Sequence, residues 1–405
     1  MYNFDEIISR RGMGSLKWDT VEEGVIPLWV ADMDFPCLPE LRQVLTRRAE
    51  HPFYGYRSPL ESYYEAVRFW YKTRHGLETD RDHILAGPGT VLSLGIIVRE
   101  FSVEGEGVLI LTPVYTPFFE VIRENRRKVV EVSLNRDSGG RFVLDIAEIE
   151  RELDRAGGGG IRTPLALFCS PHNPGGRVWN REETAAFLEM AKRRKMIVAS
   201  DEIHCDFVYN REKENGGTSA FVSAASLEDY ADRVITVSGA NKTFNLGGLH
   251  VSHFVIRNSG LRRIIEAALY REAAHQGDVF AELAVETVYR LGAPWLDELC
   301  AYLKESIGEA VRFLNAEAPG IRAVEPEGTY LIWADARTLT ERTDCRNTAE
   351  LARRLEKEGK VKITPGSIYG RGGEDCIRIN AASPHPLLME GLERIAEWAA
   401  LNSHR

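Results

Sequence analysis

The stretch VITVSGANKTFNLGGLH, Val234–His250, holds a single lysine, Lys242, between an apolar run and two glycines. The apolar run predicts a buried strand, and the lysine follows at the point where that strand would leave its sheet. In an open α/β sheet, ligands bind in the crevice at the carboxyl ends of the strands. A lysine that is desolvated there has a lowered pKa, and its free amine forms a Schiff base with an aldehyde. An ordinary solvated lysine after a strand is the alternative that Lys242 alone leaves open.

Outward from this stretch, short apolar runs alternate with helical stretches from about residue 76 to about residue 260. Such alternation predicts a mostly parallel sheet covered by helices on both faces. The glycine-rich run Ala156–Gly160 is predicted to be a loop tip, because the α/β pattern resumes after it. Strands are predicted in six runs: Val108–Leu111, Val129–Val132, Leu165–Cys169, Met196–Ser200, Val234–Val237 and His253–Ile256.

The two ends of the chain differ from this centre. Residues 1–45 are broken by glycine and proline, yet the run PLWVADMDFP, Pro27–Pro36, is too apolar for a free tail and is expected to pack. After Pro294, a long helical pattern and the strand-like runs Gly328–Ala334 and Cys376–Asn380 predict a smaller α/β domain. A chain of 405 residues suits two domains. The predicted division is 1–47 for an arm and part of the small domain, 48–285 for the large domain and 286–405 for the small C-terminal domain.

Composition and charge argue against several classes of protein. Hydrophobic residues make up 44% of the chain and charged residues 27%, as in soluble globular proteins. No apolar run approaches the roughly 20 residues that span a bilayer, and the N-terminus lacks the apolar core of a signal peptide, which predicts a cytoplasmic protein. The net charge of −9, without a long basic run, argues against nucleic-acid and membrane partners. The 6 cysteines form no CxxC pair, so no zinc ribbon, disulfide framework or metal site is predicted.

Three polar blocks each follow an apolar run of the large domain: SPHNPGGRVW at Ser170–Trp179, SDEIHCDFVY at Ser200–Tyr209, and the Lys242 segment. In this order and at these separations, the blocks resemble the fold-type I pyridoxal-phosphate enzymes of the class I/II aminotransferase superfamily. The resemblance covers nearly the full chain, and the three blocks together are far more specific than any one of them. It implies the fold-type I transferase fold, with a mostly parallel seven-stranded sheet between helices, a smaller α/β domain, and pyridoxal 5'-phosphate as the cofactor.

The resemblance assigns the centre of the cofactor to three residues. Lys242 is expected to hold the cofactor aldehyde as an imine and, once substrate displaces it, to move the Cα proton as a base. Asp201 is expected to pair with the pyridine nitrogen and keep it protonated, so that the ring draws electrons from the substrate; a helix cap is the alternative. Asn173 is expected to donate to the phenolic oxygen of the ring and to border the substrate, which is compatible with a place in the turn before Pro174.

Further cofactor contacts are implied around the ring and at the phosphate. Tyr115 matches an aromatic residue that stacks on the ring, and its hydroxyl is assigned a part in proton transfer. His204 stands where most aminotransferases of the superfamily carry a tyrosine that bonds the phenolic oxygen. A histidine at this position resembles the C–S lyase branch, and a satisfied polar residue at the sheet edge is an equal alternative. Gly89 and Thr90, in AGPGTV, open a helix whose backbone N–H groups are expected to bind the cofactor phosphate.

Substrate and partner contacts are implied at three further positions. Arg378, in CIRIN, matches the arginine that grips the substrate α-carboxylate, and an arginine inside an apolar strand is costly to bury without an anionic partner. Tyr56, in YGY, matches a tyrosine that reaches the phosphate and the substrate pocket of the neighbouring subunit, which implies a homodimer. Ala31 belongs to a loop that is expected to close over the amino-acid substrate and exclude water.

Two positions depart from the pattern of the superfamily. His250 stands eight residues after the lysine, where an arginine usually clamps the phosphate, and Asn241 precedes the lysine in place of serine. Ser238, Asn241 and His250 are therefore assigned jointly to the phosphate, without a ranking. Because the lysine, the aspartate, the asparagine and the arginine all remain, the cofactor is still expected.

The N-terminal segments GSLKWD, Gly14–Asp19, and PLWVADMDFP favour one reaction. They resemble the cystathionine β-lyase, or C–S lyase, branch, which cleaves the Cβ–S bond of cystathionine, cysteine or cysteine S-conjugates and releases a thiol, pyruvate and ammonia. An aminotransferase of unknown amino-acid specificity is the first alternative, and it needs a keto-acid acceptor that a lyase does not need. A cofactor-binding regulator with little turnover is the second, although the arm is too short for a helix-turn-helix domain.

Overall fold

A seven-stranded sheet lies at the centre of the large domain. The structure, a computed structural model, describes residues 2–209 and 221–403. The strand Ser252–Val255 is antiparallel to both of its neighbours, and the other adjacent pairs are parallel. The mostly parallel sheet is therefore confirmed, with the six strands predicted between residues 108 and 256 in it. In order across the sheet, the strands are Ile84–Gly87, Ser252–Val255, Val234–Ser238, Ile197–Asp201, Leu165–Cys169, Gly107–Thr112 and Lys128–Ser133.

Alternate residues of the central strands bury against opposite faces of this sheet. In Gly107–Thr112, Val108 and Ile110 pack in one apolar cluster, whereas Leu109 and Leu111 pack in another. A strand that is buried throughout needs helices on both faces. One face is covered by Thr90–Phe101, Pro117–Glu124 and Ser259–Arg271, and the other face by Ile146–Gly158 and Arg181–Arg193.

The parallel register brings the three polar blocks to one edge of the sheet. Asp201 ends its strand and lies beside Cys169 on one side and Val237 on the other. Asp201 and the loops that carry Asn173 and Lys242 therefore lie side by side at this edge of the sheet. This is the arrangement that the order of strands and polar blocks predicts.

The prediction of a loop tip at Ala156–Gly160 is wrong for the first part of that run. The helix Ile146–Gly158 continues through it, and the chain leaves the helix at Gly159. The side chain of Asp145 caps this helix, and its apolar face is buried. These contributions outweigh the cost of a helical glycine, which is roughly 1 kcal/mol relative to alanine.

The C-terminal part of the chain has an antiparallel sheet of its own. Arg378 lies in Cys376–Asn380, between the strands Leu331–Asp335 and Thr364–Pro365. The predicted strand at Gly328–Ala334 is present, but it begins at Leu331. The domain boundaries at residues 47 and 285 stay a prediction. In order, the strands of this sheet are Arg322–Val324, Leu331–Asp335, Cys376–Asn380 and Thr364–Pro365, and the helices around it are Ala293–Glu317, Arg337–Arg342, Thr348–Lys357 and His385–Asn402.

The N-terminal arm packs against the rest of the chain, as its apolar run predicts. Ile26–Pro27 pairs in parallel with Val361–Lys362. Leu28 and Met33 are fully buried, and Phe35 is nearly so. In the described ranges, no helix is both long enough and apolar enough to cross a membrane. The remaining elements are the helices Pro39–Glu50, Glu61–His75 and Ala281–Leu291 and the short strand pair Asn135–Arg136 and Phe142–Val143.

Candidate active site

A cavity of about 880 Å³ lies where the three polar blocks meet. This volume is within the range of about 300–1,000 Å³ that is usual for small-molecule sites. The cavity also reaches the start of the helix Thr90–Phe101, so it spans both the predicted ring contacts and the predicted phosphate contacts. The predicted site residues that line it are Gly89, Thr90, Tyr115, Asn173, Asp201, His204, Asn241, Lys242 and His250.

Lys242 follows the strand Val234–Ser238 and faces the cavity. Its Nζ donates a hydrogen bond of 2.6 Å to the carbonyl oxygen of Ala31, which belongs to the arm. Burial, helped by the charge of Arg378, lowers the pKa of Lys242 to about 8, although two nearby carboxylates oppose this shift. At neutral pH such a lysine has far more neutral amine than a solvated lysine, and the neutral amine is the form that acts as a nucleophile or base.

Asp201 is buried at the end of its strand and lines the same cavity. Its Oδ1 accepts a hydrogen bond of 3.1 Å from the backbone N–H of Ile203. Burial raises the pKa of Asp201 to about 6, and the Ile203 N–H and the Lys242 charge offset only part of that rise. A buried carboxylate with so little stabilisation fits one more donor or a cation, such as a protonated pyridine nitrogen.

Asn173 and Arg378 meet where the cavity borders the arm. Arg378 Nη1 donates to Asn173 Oδ1 at 3.2 Å, and Nη2 donates to the carbonyl oxygen of Trp29 at 2.7 Å. The guanidinium carbon lies 5.0 Å from the centre of the Tyr369 ring. Arg378 is buried, and its Nε has no partner within residues 2–209 and 221–403. The guanidinium therefore has a donor to spare, as the binding of a carboxylate requires.

Tyr115 and His204 are both kept neutral by burial. Burial raises the pKa of Tyr115 to about 12, and the carboxylate of Asp201 adds to this rise. Burial lowers the pKa of His204 well below its ordinary value, and the charges of Lys242 and Arg378 lower it further. The Nδ1 atom of His204 has no hydrogen-bond partner in the described part of the chain. A neutral imidazole and a neutral phenol can each donate one hydrogen bond to an oxygen in the cavity.

The opposite end of the cavity is formed by the start of the helix Thr90–Phe101. Gly89 has a φ of +100°, a backbone conformation that is strained for any residue with a side chain, so glycine suits this position. Thr90 Oγ1 is buried without a hydrogen-bond partner among the described residues. A buried hydroxyl beside the unpaired N–H groups that begin a helix is suited to an anion such as phosphate.

Some of the predicted site residues lie outside the lining of the cavity. Ser238 is buried, and its hydroxyl donates a hydrogen bond of 3.0 Å to the carbonyl oxygen of Glu202, so it is already used within the sheet. Tyr56 is 97% exposed and does not reach the cavity of its own chain. Ala31 contacts Lys242 through its carbonyl oxygen, and Arg378 joins the site through its hydrogen bond to Asn173.

Tyr330 and Trp29 are neighbours of the site that no pattern in the sequence indicates. The Tyr330 hydroxyl donates to the carbonyl oxygen of Ala31 at 3.3 Å, and its ring packs edge-on against His204 with centres 5.7 Å apart. Trp29 contributes the carbonyl oxygen that binds Arg378. Tyr330 belongs to an apolar strand pattern and is expected to be a core residue, and no sequence signal marks a main-chain carbonyl as a ligand.

Similarity to known proteins agrees with this geometry. The chain belongs to the aminotransferase class I and II family, whose model matches residues 23–395. It is 36% identical to cystathionine beta-lyase PatB of Bacillus subtilis, over 97% of this chain and 98% of that protein. The crystal structure of cystalysin from Treponema denticola, which contains a pyridoxal 5'-phosphate cofactor, covers 99% of each chain with a TM-score of 0.89 and 32% identity. The pyridoxal-phosphate-bound C–S lyase from Staphylococcus hominis covers 100% of each chain with a TM-score of 0.89 and 27% identity. The predicted family and the fold-type I fold are confirmed.

Proposed function

We propose that the protein is a pyridoxal-phosphate-dependent C–S β-lyase that converts an S-substituted cysteine, such as cystathionine, and one water molecule into a thiol, pyruvate and ammonia. The observation that carries the proposal is the amine of Lys242, with its lowered pKa, in one cavity with Asp201 and Tyr115. This arrangement supports removal of the Cα proton, with which elimination begins. The choice of a lyase is supported by the C–S lyases among the similar proteins and by the arm, which contacts Lys242.

The residues of the cavity fit the cofactor. Asp201 offers a poorly stabilised carboxylate to the pyridine nitrogen, and Asn173 and His204 offer donors to the phenolic oxygen. Thr90 offers a helix start and a hydroxyl, without a hydrogen-bond partner among residues 2–209 and 221–403, to the phosphate. Lys242 would hold the cofactor through its amine. When bound, pyridoxal phosphate supplies a protonated ring that draws electrons away from the Cα atom of the amino acid.

Lys242 performs the proton transfers in this proposal. Its neutral amine takes the Cα proton, and the resulting ammonium gives a proton to the sulfur as the Cβ–S bond breaks. The carbonyl oxygen of Ala31, 2.6 Å from Nζ, holds one N–H and so orients the amine. The Tyr115 hydroxyl, which burial keeps protonated, is a second proton donor in the same cavity.

Arg378 orients the substrate through its α-carboxylate. A planar guanidinium binds a carboxylate with two parallel hydrogen bonds, which fixes both distance and direction. Asn173 Oδ1 accepts from Nη1 and holds the guanidinium in its plane. The bond from Nη2 to the carbonyl oxygen of Trp29 keeps the other end partnered in the absence of substrate.

We also infer a homodimer in which Tyr56 completes the cavity of the neighbouring chain. Tyr56 is 97% exposed, and Phe53 and Tyr54 beside it are 73% and 55% exposed. Leu16 and Leu92, which line the cavity, are 61% and 46% exposed. Apolar surface gathered around a site is typical of an interface, and two-fold symmetry presents the same surface from a second copy.

Pyruvate release from L-cystathionine without any keto acid tests the reaction. We expect sustained release with one free thiol for each pyruvate, because elimination returns the cofactor unchanged. Lys304→Ala, at an exposed lysine, is the matched control for Lys242→Ala and should keep full activity. A protein that binds the cofactor but releases no pyruvate from any S-substituted cysteine contradicts the proposal.

An aminotransferase is the second candidate, since the family description names that reaction and the same residues serve both chemistries. In transamination the amino group stays on the cofactor, and only a keto acid removes it. Loss of the visible absorbance on addition of an amino acid, without pyruvate, and its return with a keto acid would select the aminotransferase.

A further inference from the structure

Within the N-terminal arm, one buried carboxylate, that of Asp34, joins the segment Gly14–Asp19 to the loop Trp29–Asp34 near the cavity. Lys17 is fully buried, and its Nζ donates to Asp34 Oδ2 at 2.6 Å and to the carbonyl oxygen of Asp32 at 3.0 Å. Trp18 Nε1 donates to Asp34 Oδ1 at 2.8 Å. Two adjacent residues of the segment thus bind the two oxygens of a single carboxylate.

Further donors complete the surroundings of Asp34. Arg10 Nη1 donates to Oδ1 at 2.9 Å, and the Ser383 hydroxyl donates to Oδ2 at 2.8 Å. The backbone N–H of Asp34 donates to the carbonyl oxygen of Ala382 at 2.9 Å. Burial favours the neutral acid, but the ammonium of Lys17 and these hydrogen bonds hold the pKa of Asp34 below its ordinary value. A buried, fully bonded ion pair of this kind fixes the position of the backbone that carries it.

The loop Trp29–Asp34, which ends at this carboxylate, has no regular secondary structure. Its carbonyl groups are held by side chains instead. The carbonyl oxygen of Trp29 accepts from Arg378 at 2.7 Å, and that of Ala31 accepts from Lys242 at 2.6 Å. The position of the loop therefore decides where the substrate-binding guanidinium and the catalytic amine find their acceptors.

We propose that Lys17 and Trp18 are positioning residues that fix the loop Trp29–Asp34 beside the cavity. The loop carbonyls in turn orient Lys242 and Arg378, whose roles in this inference rest on the proposed function. Neither Lys17 nor Trp18 lines the cavity, so both act through the loop. An amine whose N–H is held by a fixed acceptor keeps its lone pair in a fixed direction, and a displacement of about 1 Å at a reacting group can cost about a hundredfold in rate.

A purely structural role for the two residues predicts a different result. Loss of stability alone lowers the fraction of folded protein, but it leaves the kcat of each folded site and its affinity for ligands unchanged. Misplacement of the loop changes both quantities in protein that is fully folded. Activity must therefore be expressed per bound cofactor, which the visible absorbance of the holoenzyme counts.

Lys17→Met tests the proposal in the holoenzyme, with Leu188→Ala as the control. Leu188 is fully buried in the apolar cluster under Arg181–Arg193, so its truncation lowers the melting temperature without touching the loop. We expect Lys17→Met to lower kcat for pyruvate release from L-cystathionine at least about tenfold per bound cofactor. We expect Leu188→Ala to keep the wild-type kcat.

Glycine binding gives a second readout that does not depend on elimination. Glycine has the amino and carboxyl groups of a substrate but no β-carbon, and its binding changes the visible absorbance of the holoenzyme. Because Lys242 and Arg378 are expected to contact these two groups, Lys17→Met should weaken glycine binding about fivefold. Leu188→Ala should bind glycine as the wild type does.

Trp18→Phe gives a graded test, because it keeps an aromatic ring, although a smaller one, and removes the hydrogen bond to Asp34. We expect Trp18→Phe to lower kcat and to weaken glycine binding, each by about a third as much as Lys17→Met does. Wild-type kcat and glycine affinity in folded Lys17→Met overturn the inference, and if that variant does not fold, the same result in Trp18→Phe overturns it. If the unaltered enzyme binds glycine but releases no pyruvate, the proposed function fails instead, and the glycine affinities of the variants still decide whether the loop is positioned by Lys17 and Trp18.

Discussion

The two ends of the cavity are built in different ways. At the ring end, the side chains of Asn173, Asp201 and His204 are held at the ends of strands and are at most 3% exposed. At the phosphate end, His250 is exposed, and Tyr56, assigned to a neighbouring site, is 97% exposed. One fold therefore completes the ring end, whereas we expect a second copy to complete the phosphate end. A sheet edge of one chain can thus position the contacts to the ring, whereas we expect dimer formation to add a contact to the phosphate.

Burial of the charged side chains at the ring end also costs folding free energy in the cofactor-free protein. Burial raises the pKa of Asp201 to about 6 and lowers that of Lys242 to about 8, so each charged form is disfavoured where it stands. Catalytic groups with pKa values displaced toward neutrality are usual in active sites. Variants at the ring end should therefore change chemistry and stability, whereas variants at the phosphate end should depend on a partner chain.

Removal of the Lys242 amine should have the largest effect at the ring end. In Lys242→Ala we expect pyruvate release to fall by about 10²–10⁴-fold, because the base is lost. We also expect loss of the visible absorbance of lysine-bound cofactor, which a spectrum of the dialysed protein measures. Lys304→Ala, at an exposed position, is the control. A Lys242→Ala protein that keeps this absorbance would show that another lysine holds the cofactor.

Arg378→Ala should have the next largest effect, on substrate binding. Loss of one partner of a buried, hydrogen-bonded charge pair costs about 2–5 kcal/mol, so we expect KM for L-cystathionine to rise at least about thirtyfold. Arg337→Ala is the matched control, since Arg337 is an exposed arginine of the same part of the chain and pairs with Asp375. Steady-state kinetics of the two variants give the comparison, and equal KM values would remove Arg378 from the substrate site.

Asp201→Asn should stabilise the cofactor-free protein above pH 6. A buried carboxyl whose pKa rises from 3.8 to about 6 stabilises the fold below pH 4 and loses that contribution as the pH rises through 6. The neutral amide avoids this loss, so we expect the variant to be more stable at pH 8 by on the order of 3 kcal/mol, with the difference vanishing near pH 4.

Urea denaturation of the cofactor-free protein at pH 8 and pH 4 measures the effect of Asp201→Asn. Asp154→Asn, at an exposed aspartate that pairs with Arg194, is the control and should show no such gain at pH 8. Asp201→Asn should also weaken cofactor binding, because the amide cannot hold the pyridine nitrogen in its protonated state. If Asp201→Asn is less stable than the wild type at pH 8, the charged form of Asp201 is not disfavoured by burial, contrary to this assignment.

The sequence predicts the side chains of the ring end because each follows a recognisable strand. Apolar runs mark buried strands, and parallel strands end at one edge, so Asn173, Asp201 and Lys242 are expected to lie together. The arm contributes differently. Trp29 and Ala31 act through carbonyl oxygens, which every residue has, so only the folded path of the chain shows which ones reach the site.

The remaining misses arise where tertiary contacts override a local pattern. The edge strand Ile84–Gly87 has only one fully buried residue and ends in glycine, so it lacks the continuous apolar run of the other strands. The helix through Gly158 persists because its N-terminal cap and its buried face outweigh the glycines. The assignment of Ser238 to the phosphate, jointly with Asn241 and His250, stays a prediction; its hydroxyl donates to the Glu202 carbonyl, a direction that no sequence pattern predicts.

The phosphate end is tested by mixing Tyr56→Ala chains with Lys242→Ala chains. We expect Tyr56→Ala alone to lose about tenfold in activity, as for the loss of one hydrogen bond to a charged group. In a mixed dimer, one cavity combines an intact Lys242 with an intact Tyr56 from the other chain, and the second cavity lacks both. Random association should therefore restore about a quarter of the wild-type activity per site, well above the sum of the two variants measured apart.

Tyr270→Ala, at a tyrosine that is 63% exposed on the helix Ser259–Arg271, is the control for this mixture. Chains that carry it should be fully active alone and should gain nothing from mixing, because that tyrosine is assigned to no site. Activity equal to the plain sum of the Tyr56→Ala and Lys242→Ala proteins, after exchange of chains is confirmed by native mass spectrometry, would mean that each cavity is completed by its own chain. The helix start at Thr90, with His250 and Asn241, would then have to bind the phosphate within one chain, and the contrast between a one-chain ring end and a two-chain phosphate end would no longer hold.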